Sequence, residues 1–348
     1  MNIDARLVYR SLAEVSEIAQ TAEALGFDGL WTSETDHDPF LGLALAAAAT
    51  SRLELGTAIA LAFTRSPTTL AHVAWDLAQL AGGRFVLGLG TQVKAHITRR
   101  FGVVWDPPAP KLREVVGAIR AVWDAWAYGR PLNFTGRYVT LSLMTPFFTP
   151  PGPPPPGLRI WIAGVGARMC RLAGEIADGF HVHPFHTRRY LREVVLPQIH
   201  RGLARRQAAR ADFTVAASVF IASGNEREVA DGLEQIRRTL SFYASTPTYR
   251  PVLELHGWSD LGVHLSQLAA RGRWQQMPAL IPHEMLEACA IWGPPDVVAD
   301  RLRSEYAGVV DRVAAYEELV PGRRTEMWEA LIAGVRGGGP ADAGTDRG

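Results

Sequence analysis

Apolar positions along the chain alternate between two periods. Ile3–Val8 is a short extended apolar run. Leu12–Leu25 then carries Leu12, Val15, Ile18, Ala19, Ala22 and Leu25 at helical spacing and is closed by Gly26. The exchange repeats through strands predicted at Asp28–Thr32, Leu53–Ile59 and Arg84–Gly90. An alanine-rich helix, Pro39–Thr50, and a helix opened by Pro67, where a missing N–H costs little, separate them. Strands at Leu158–Ala163, Gly179–His183, Phe213–Ala222 and Val310–Tyr316 complete a set of eight. Helices are predicted over Lys111–Tyr128, Ala167–Ala177, Arg188–Ala208 (with Pro197 a kink), Glu226–Tyr243, Pro295–Tyr306 and Thr325–Val335. This alternation predicts an α/β fold, a (β/α)8 TIM barrel in one unit over 1–336. A doubly wound sheet shares the same periodicity.

Four stretches depart from the rhythm. Leu132–Leu143 reads as extended, and Pro146–Gly157 holds seven prolines, too many for a helix or a central strand, so it is a stiff surface loop. Residues 244–290 read as a helical insertion late in the chain. Gly337–Gly348, rich in glycine, alanine and aspartate, is expected to be a disordered tail.

With 36 basic against 35 acidic residues and 47% hydrophobic content, the chain can bury a large core and presents no charge block for nucleic acid or a membrane surface. Arg201, Arg205, Arg206 and Arg210 read as a solvated helix face. Cys170 and Cys289, far apart and each in an apolar run, read as buried free thiols, and with no apolar leader at the N-terminus a cytoplasmic location is expected.

In a barrel, chemistry gathers at the C-terminal ends of the strands. That rule selects Ser33–Asp38, Ala58–Arg65, Thr91–His96, Gly164–Arg168 and His181–His186. Glycines at Gly164 and Gly166, between a strand and a helix, suit a backbone anion site at the helix N-terminus, although a plain tight turn has the same sequence. His181 and His183 share one strand face, and with His186 they suit proton transfer, substrate contact or a metal; no carboxylate accompanies them. Tyr243, Tyr249, His256, Trp258 and Trp274 put aromatic surface in and beside the insertion, for a planar substrate or for a small core of its own.

Several segments together resemble the luciferase-like family of flavin and deazaflavin oxidoreductases. They are Ala22–Trp31, Leu55–Ile59 with Arg65-Ser66-Pro67, Gly83–Thr91, Phe134–Tyr138, and Ile162–Gly166 followed by Leu172-Ala173-Gly174 and Ala177-Asp178-Gly179. Their order covers roughly residues 2 to 318 and is most similar to the branch using coenzyme F420. The resemblance implies a cofactor site formed by Thr35, Ala58, Ile59, Thr91, Gln92, His96, Ala163, Gly164, Val165, Gly166, Ala167 and Arg168, with a cis peptide between Ala58 and Ile59. It also implies a small-molecule substrate, cofactor delivered by another enzyme, and a homodimer; the strand-end histidines His181 and His186 and the aromatics Tyr243 and Trp258 are the residues placed to meet that substrate.

Family members usually carry an acidic residue followed by histidine at the end of the second strand. Here the pair is Glu34-Thr35, and Thr35 cannot act as a base, so His37, held by Asp36 or Asp38, is the substitute. Glu34, His37 and His183 are the candidates for moving a proton while hydride passes to or from deazaflavin C5. The alternatives are an FMN-dependent monooxygenase, a metal-dependent barrel hydrolase or isomerase built on the histidines, and a flavin-binding protein without turnover.

Overall fold

Closure of the sheet separates a barrel from a doubly wound fold. The computed structural model describes residues 1–337, so the tail expectation falls almost wholly outside the described residues. The strands are β1 (Asn2–Arg6), β2 (Gly29–Thr32), β3 (Glu54–Thr57), β4 (Ala60–Leu61), β5 (Phe85–Gly90), β6 (Phe134–Thr135), β7 (Thr140–Leu141), β8 (Arg159–Gly164), β9 (Gly179–Val182), β10 (Thr214–Ser223), β11 (Ala290–Gly293) and β12 (Arg312–Glu318). Parallel pairing runs β1-β2-β3-β5-β8-β9-β10-β12 and returns to β1 through Asn2↔Arg312 and Ile3↔Val313, a closed eight-stranded barrel. β4 continues the line of β3 against the end of β5.

β11 was not predicted. It pairs with the end of β10, Phe220↔Ala290 to Ser223↔Gly293, beyond the four residues where β10 pairs with β12. A four-residue strand after a helical segment shows too little alternation to stand out. β6 and β7 form a small antiparallel hairpin within the stretch read as extended. Glu114 holds its turn by accepting from the N–H groups of Arg137, Tyr138 and Val139.

Local chemistry explains the helix boundaries. Asp38 caps helix Pro39–Ala49 by accepting from the Phe40 N–H, and Ser66 caps Pro67–Leu80 through the Thr69 N–H. Gly26 ends Val15–Leu25 at φ 89°, a left-handed conformation that glycine adopts at little cost. Pro197 does not break its helix. It follows a π-helical turn, Leu191–Val195, where the wider turn absorbs the hydrogen bond that proline cannot donate. Residues 244–290 contain helices Arg250–Leu255, Ser259–Ala270 and His283–Cys289, which bury Val252, Leu253, Leu265, Met285 and Leu286. Cys170 and Cys289 are free and buried, and burial pushes both thiols up to about 12.

Two layers fill the barrel interior. At the N-terminal end Asp4 accepts from the Trp31 indole at 2.9 Å and from Arg312 at 2.8 and 2.7 Å, while Arg312 also reaches Glu54 at 2.7 Å. Buried charges survive only when paired in this way. Above lie Trp31, Val86, Trp161 and Ala216. No helix among the described residues is long and apolar enough to cross a membrane.

Candidate functional site

The residues after each barrel strand form a ring at the mouth, and the order of strands divides it into two halves. One half follows β2, β3, β5 and β8; the other follows β9, β10, β12 and β1.

In the first half the Ala58–Ile59 peptide is cis. Its surroundings are tied to the end of β2. Ala58 N–H donates to Thr32 O at 2.6 Å, Ser33 Oγ donates to Ala58 O at 2.8 Å, and Glu34 N–H donates to Ile59 O at 3.0 Å. Glu34 was expected to move protons. It is instead buried and engaged: Oε2 accepts from the Leu61 N–H at 2.8 Å and from Arg65 at 2.7 Å. Arg65 also binds Asp38 at 2.6 Å, so Glu34 and Asp38 together hold Arg65 against this wall. One oxygen of the Glu34 carboxylate is thus engaged in holding this wall.

Thr91 and Gln92 end β5, half-buried. Gln92 has φ 55° and its Oε1 accepts from the Val93 N–H, which leaves its amide N–H groups unspent. His96 lies exposed on helix Lys94–Arg99.

At the end of β8, Ala163 and Gly164 lead into Val165, Gly166 and helix Ala167–Ile176. A Cβ on Gly164 would stand 2.5 Å from Met169 Cβ, so the loop can fold against its helix only with glycine there. A Cβ on Gly166 would meet nothing within 4 Å, so this backbone is bare to an incoming group. Met169 and Cys170 donate their N–H groups to Gly166 O at 2.9 and 3.2 Å, while the N–H groups of Gly166 and Ala167 ahead of them have no acceptor among the described residues and carry the partial positive charge of the helix end. Open backbone, free donors and a helix dipole fit a phosphate. Arg168, expected to join this loop, belongs to a groove on the outer side of the same helix.

In the second half, an arc of aromatic and basic side chains runs from β1 to β9. The Arg6 guanidinium stands 3.9 Å over the Tyr316 ring. Tyr316 and Tyr243 hydroxyls are 2.7 Å apart, and Tyr243 meets His183 edge-on at 4.7 Å. Tyr249 stacks on His183 at 4.5 Å, with its hydroxyl 3.0 Å from His183 Nε2. The Phe185 N–H donates to His183 Nδ1 at 3.1 Å, which places the ring proton on Nε2 and makes His183 the donor to Tyr249. Burial, with His186 nearby, pushes His183 to about 3, so it is neutral near pH 7. Burial likewise pushes Tyr249 up to about 12, so its O–H stays protonated.

Other candidates are redirected. His181 lies beneath the mouth between Trp31 and Trp161, ring centroids 5.0 Å from each, and is part of the barrel filling rather than a substrate contact. His186 is buried: Nδ1–H donates to His183 O at 2.8 Å and Nε2 accepts from the Tyr306 hydroxyl at 3.1 Å, so it fixes the loop that aims His183. Trp258 stacks on His256 at 4.4 Å and packs within the insertion. His37 is exposed and stacked on Tyr9 at 4.9 Å; Asp36 takes the Thr35 hydroxyl and Asp38 takes Arg65 and the Phe40 N–H, so neither holds His37. His37 and Thr35 still line a mouth cavity of about 70 Å³ with Arg6, Tyr9, Ser33 and Asp36. Among the described residues, no three His, Cys, Asp or Glu side chains are grouped to hold a metal.

Arg6, Arg65 and Tyr316 were missed as site residues. The strand-end rule applied to β1 would have found Arg6; Arg65 lay within a selected segment but offered no motif of its own.

A model of the luciferase-like monooxygenase family matches residues 2–312. An uncharacterized protein of Mycobacterium tuberculosis (strain ATCC 25618 / H37Rv) is 49% identical over 303 residues, covering 87% of this chain and 89% of the relative. The 5,10-methylenetetrahydromethanopterin reductase of Archaeoglobus fulgidus is 27% identical, covering 90% and 92%. Among solved structures, the coenzyme F420-dependent tetrahydromethanopterin reductase from Methanopyrus kandleri superposes with a TM-score of 0.75 at 21% identity, covering 96% of this chain and 97% of that one.

Proposed function

Because the chain belongs to the luciferase-like monooxygenase family, we propose that it is an F420-dependent oxidoreductase that transfers hydride between deazaflavin C5 and a small organic substrate. The observation that carries this reading is the division of the mouth. An anion-binding loop at Gly164–Gly166, at the end of β8, adjoins the wall that begins at the end of the neighbouring strand β9, whose donor is a protonated tyrosine. The 27% identity to the reductase of Archaeoglobus fulgidus supports the hydride-transfer class.

The deazaflavin would supply the hydride. The chain supplies the rest: backbone donors at Gly166 and Ala167 for the phosphate, a ring platform at Ala58–Ile59 braced by Ser33 and Glu34, and a proton at Tyr249 Oη. His183 spends its only N–H on Tyr249, which leaves the Tyr249 O–H as the donor facing substrate when hydride arrives. Arg6, without a carboxylate partner among the described residues, would receive an anionic or carbonyl oxygen of the substrate. FMN also ends in a phosphate, so a monooxygenase using reduced FMN is the second reading.

Titration of the purified protein with F420 and with FMN, followed by fluorescence, separates the two. F420 is expected to bind more tightly. Gly166→Asp is expected to weaken the bound cofactor at least about ten-fold, because it sets a negative charge at an anion site without filling occupied space. Unchanged affinity in that variant would remove the loop from the cofactor site.

The proposal includes a homodimer seated on helix Pro39–Ala49, which leaves Leu41 59% and Leu45 37% exposed. Sedimentation is expected to give a dimer that Leu41→Glu converts to monomer; a monomeric wild-type protein at micromolar concentration rejects this.

A further inference from the structure

Arginines are unevenly matched on the outer side of helix Ala167–Ile176. Arg168, Arg171 and Glu175 of that helix border a groove of about 190 Å³. Ala109, Pro110 and Arg113 from helix Pro108–Tyr128 and Arg205 from helix Leu196–Arg206 complete it. Glu175 receives Arg113 and, at 2.8 Å, Arg205, and stands 3.9 Å from Arg171. One carboxylate facing four guanidiniums leaves three positive charges uncompensated.

Nearby acids are committed elsewhere. Asp178 binds Arg120 at 2.9 Å, Asp106 binds Lys111 at 2.8 Å, and Glu114 holds the hairpin turn. A surface network built for stability would alternate signs, since like charges so close repel. The solvated face read for Arg205 is therefore part of a basic groove.

Its position gives the excess charge a purpose. Arg168 lies two residues beyond Gly166, so the groove begins beside the anion-binding loop. Arg168, Arg171 and Glu175 follow one another on one helix face, carrying the groove roughly 10 Å away from the loop at 1.5 Å per residue. We infer that this groove holds a linear polycarboxylate extending from the phosphate of the bound cofactor. The inference rests on the F420 reading: that cofactor carries a short oligoglutamate chain beyond its phosphodiester, whereas FMN ends at its phosphate. Arg168 and Arg171 engage the chain, while Glu175 orients Arg113 and Arg205 along the opposite wall.

The test is fluorescence titration of the whole protein with F420 bearing its oligoglutamate chain and with the same deazaflavin phosphodiester lacking glutamates. Wild-type protein and the double variant Arg168→Ser, Arg171→Ser are compared at low and high salt. The chain is expected to tighten wild-type binding about ten-fold or more, and the advantage is expected to vanish in the double variant and at high salt. The tail-less compound should bind both proteins alike, which also shows that the variant is folded. Equal affinity of wild-type protein for the two deazaflavins overturns the groove and leaves the F420 reading intact. Binding of FMN with neither deazaflavin bound overturns the F420 reading and the groove's occupant with it.

Discussion

Stability is expected to fall steeply as pH drops below 6.5, at about 3 kcal/mol per pH unit, and the protein to unfold before pH reaches about 4. The cause is the enclosed pair His181 and His186; His183 is lowered too, but it is only half-buried at the open mouth and contributes less. Burial lowers them from 6.5 to about 3 and about 4. Their folded values lie below the unfolded value, so between these limits the unfolded chain binds more protons. The contribution is therefore fully present above pH 6.5 and is lost as pH falls toward 4. Each group accounts for about 1.4 kcal/mol per pH unit in that window. Neither can be protonated in place at low cost: His181 is wedged between two tryptophans, and both ring nitrogens of His186 already have partners. Urea unfolding at a series of pH values measures the slope, which His186→Gln is expected to cut by about half. A wild-type slope near zero between pH 6.5 and 5 would mean that both rings reach solvent.

The second large effect is on turnover. Tyr249→Phe removes one hydroxyl, and with any substrate the wild-type protein reduces it is expected to lower kcat about 100-fold or more while leaving cofactor affinity unchanged. Proton donation to the developing oxyanion or carbanion is made only in the transition state, so kcat and not KM carries the loss. His183→Gln is expected to cost less, about ten-fold, because a side-chain amide can still donate to the Tyr249 hydroxyl. If Tyr249→Phe turned over at the wild-type rate, the proton would have to come from elsewhere at the mouth, and His37 beside Arg6 would be the next residue to change.

The two predictions rest on histidines that look alike in sequence. His181, His183 and His186 sit within six residues, and period-two alternation puts the first two on one face. In the structure one ring fills the barrel, one orients a hydroxyl at the mouth and one locks the loop between them. The differences come from partners 66 and 120 residues away, Tyr249 and Tyr306, which no local pattern announces. Glu34 is a similar case. Its place at the end of β2 was legible, but its commitment to Leu61 and Arg65 depended on how β4 and the loop after it pack against it.

What the sequence determined by itself was the set of elements and the face each buries. Period-two and period-3.6 hydrophobicity, with Gly26, Asp38 and Ser66 as boundaries, are short-range chemistry that acts before the chain is compact. The eight barrel strands, the buried thiols and the glycine loop after β8 all follow from it. Tertiary structure alone decided that the sheet closes, through Asn2↔Arg312, and that β11 lies beside the end of β10. It also decided which polar side chains of the mouth are engaged and which remain available. Hydrogen bonds and desolvation act between groups brought within a few ångströms by the fold, so the charge, tautomer and reach of Glu34, His183 and Arg168 belong to the packed molecule.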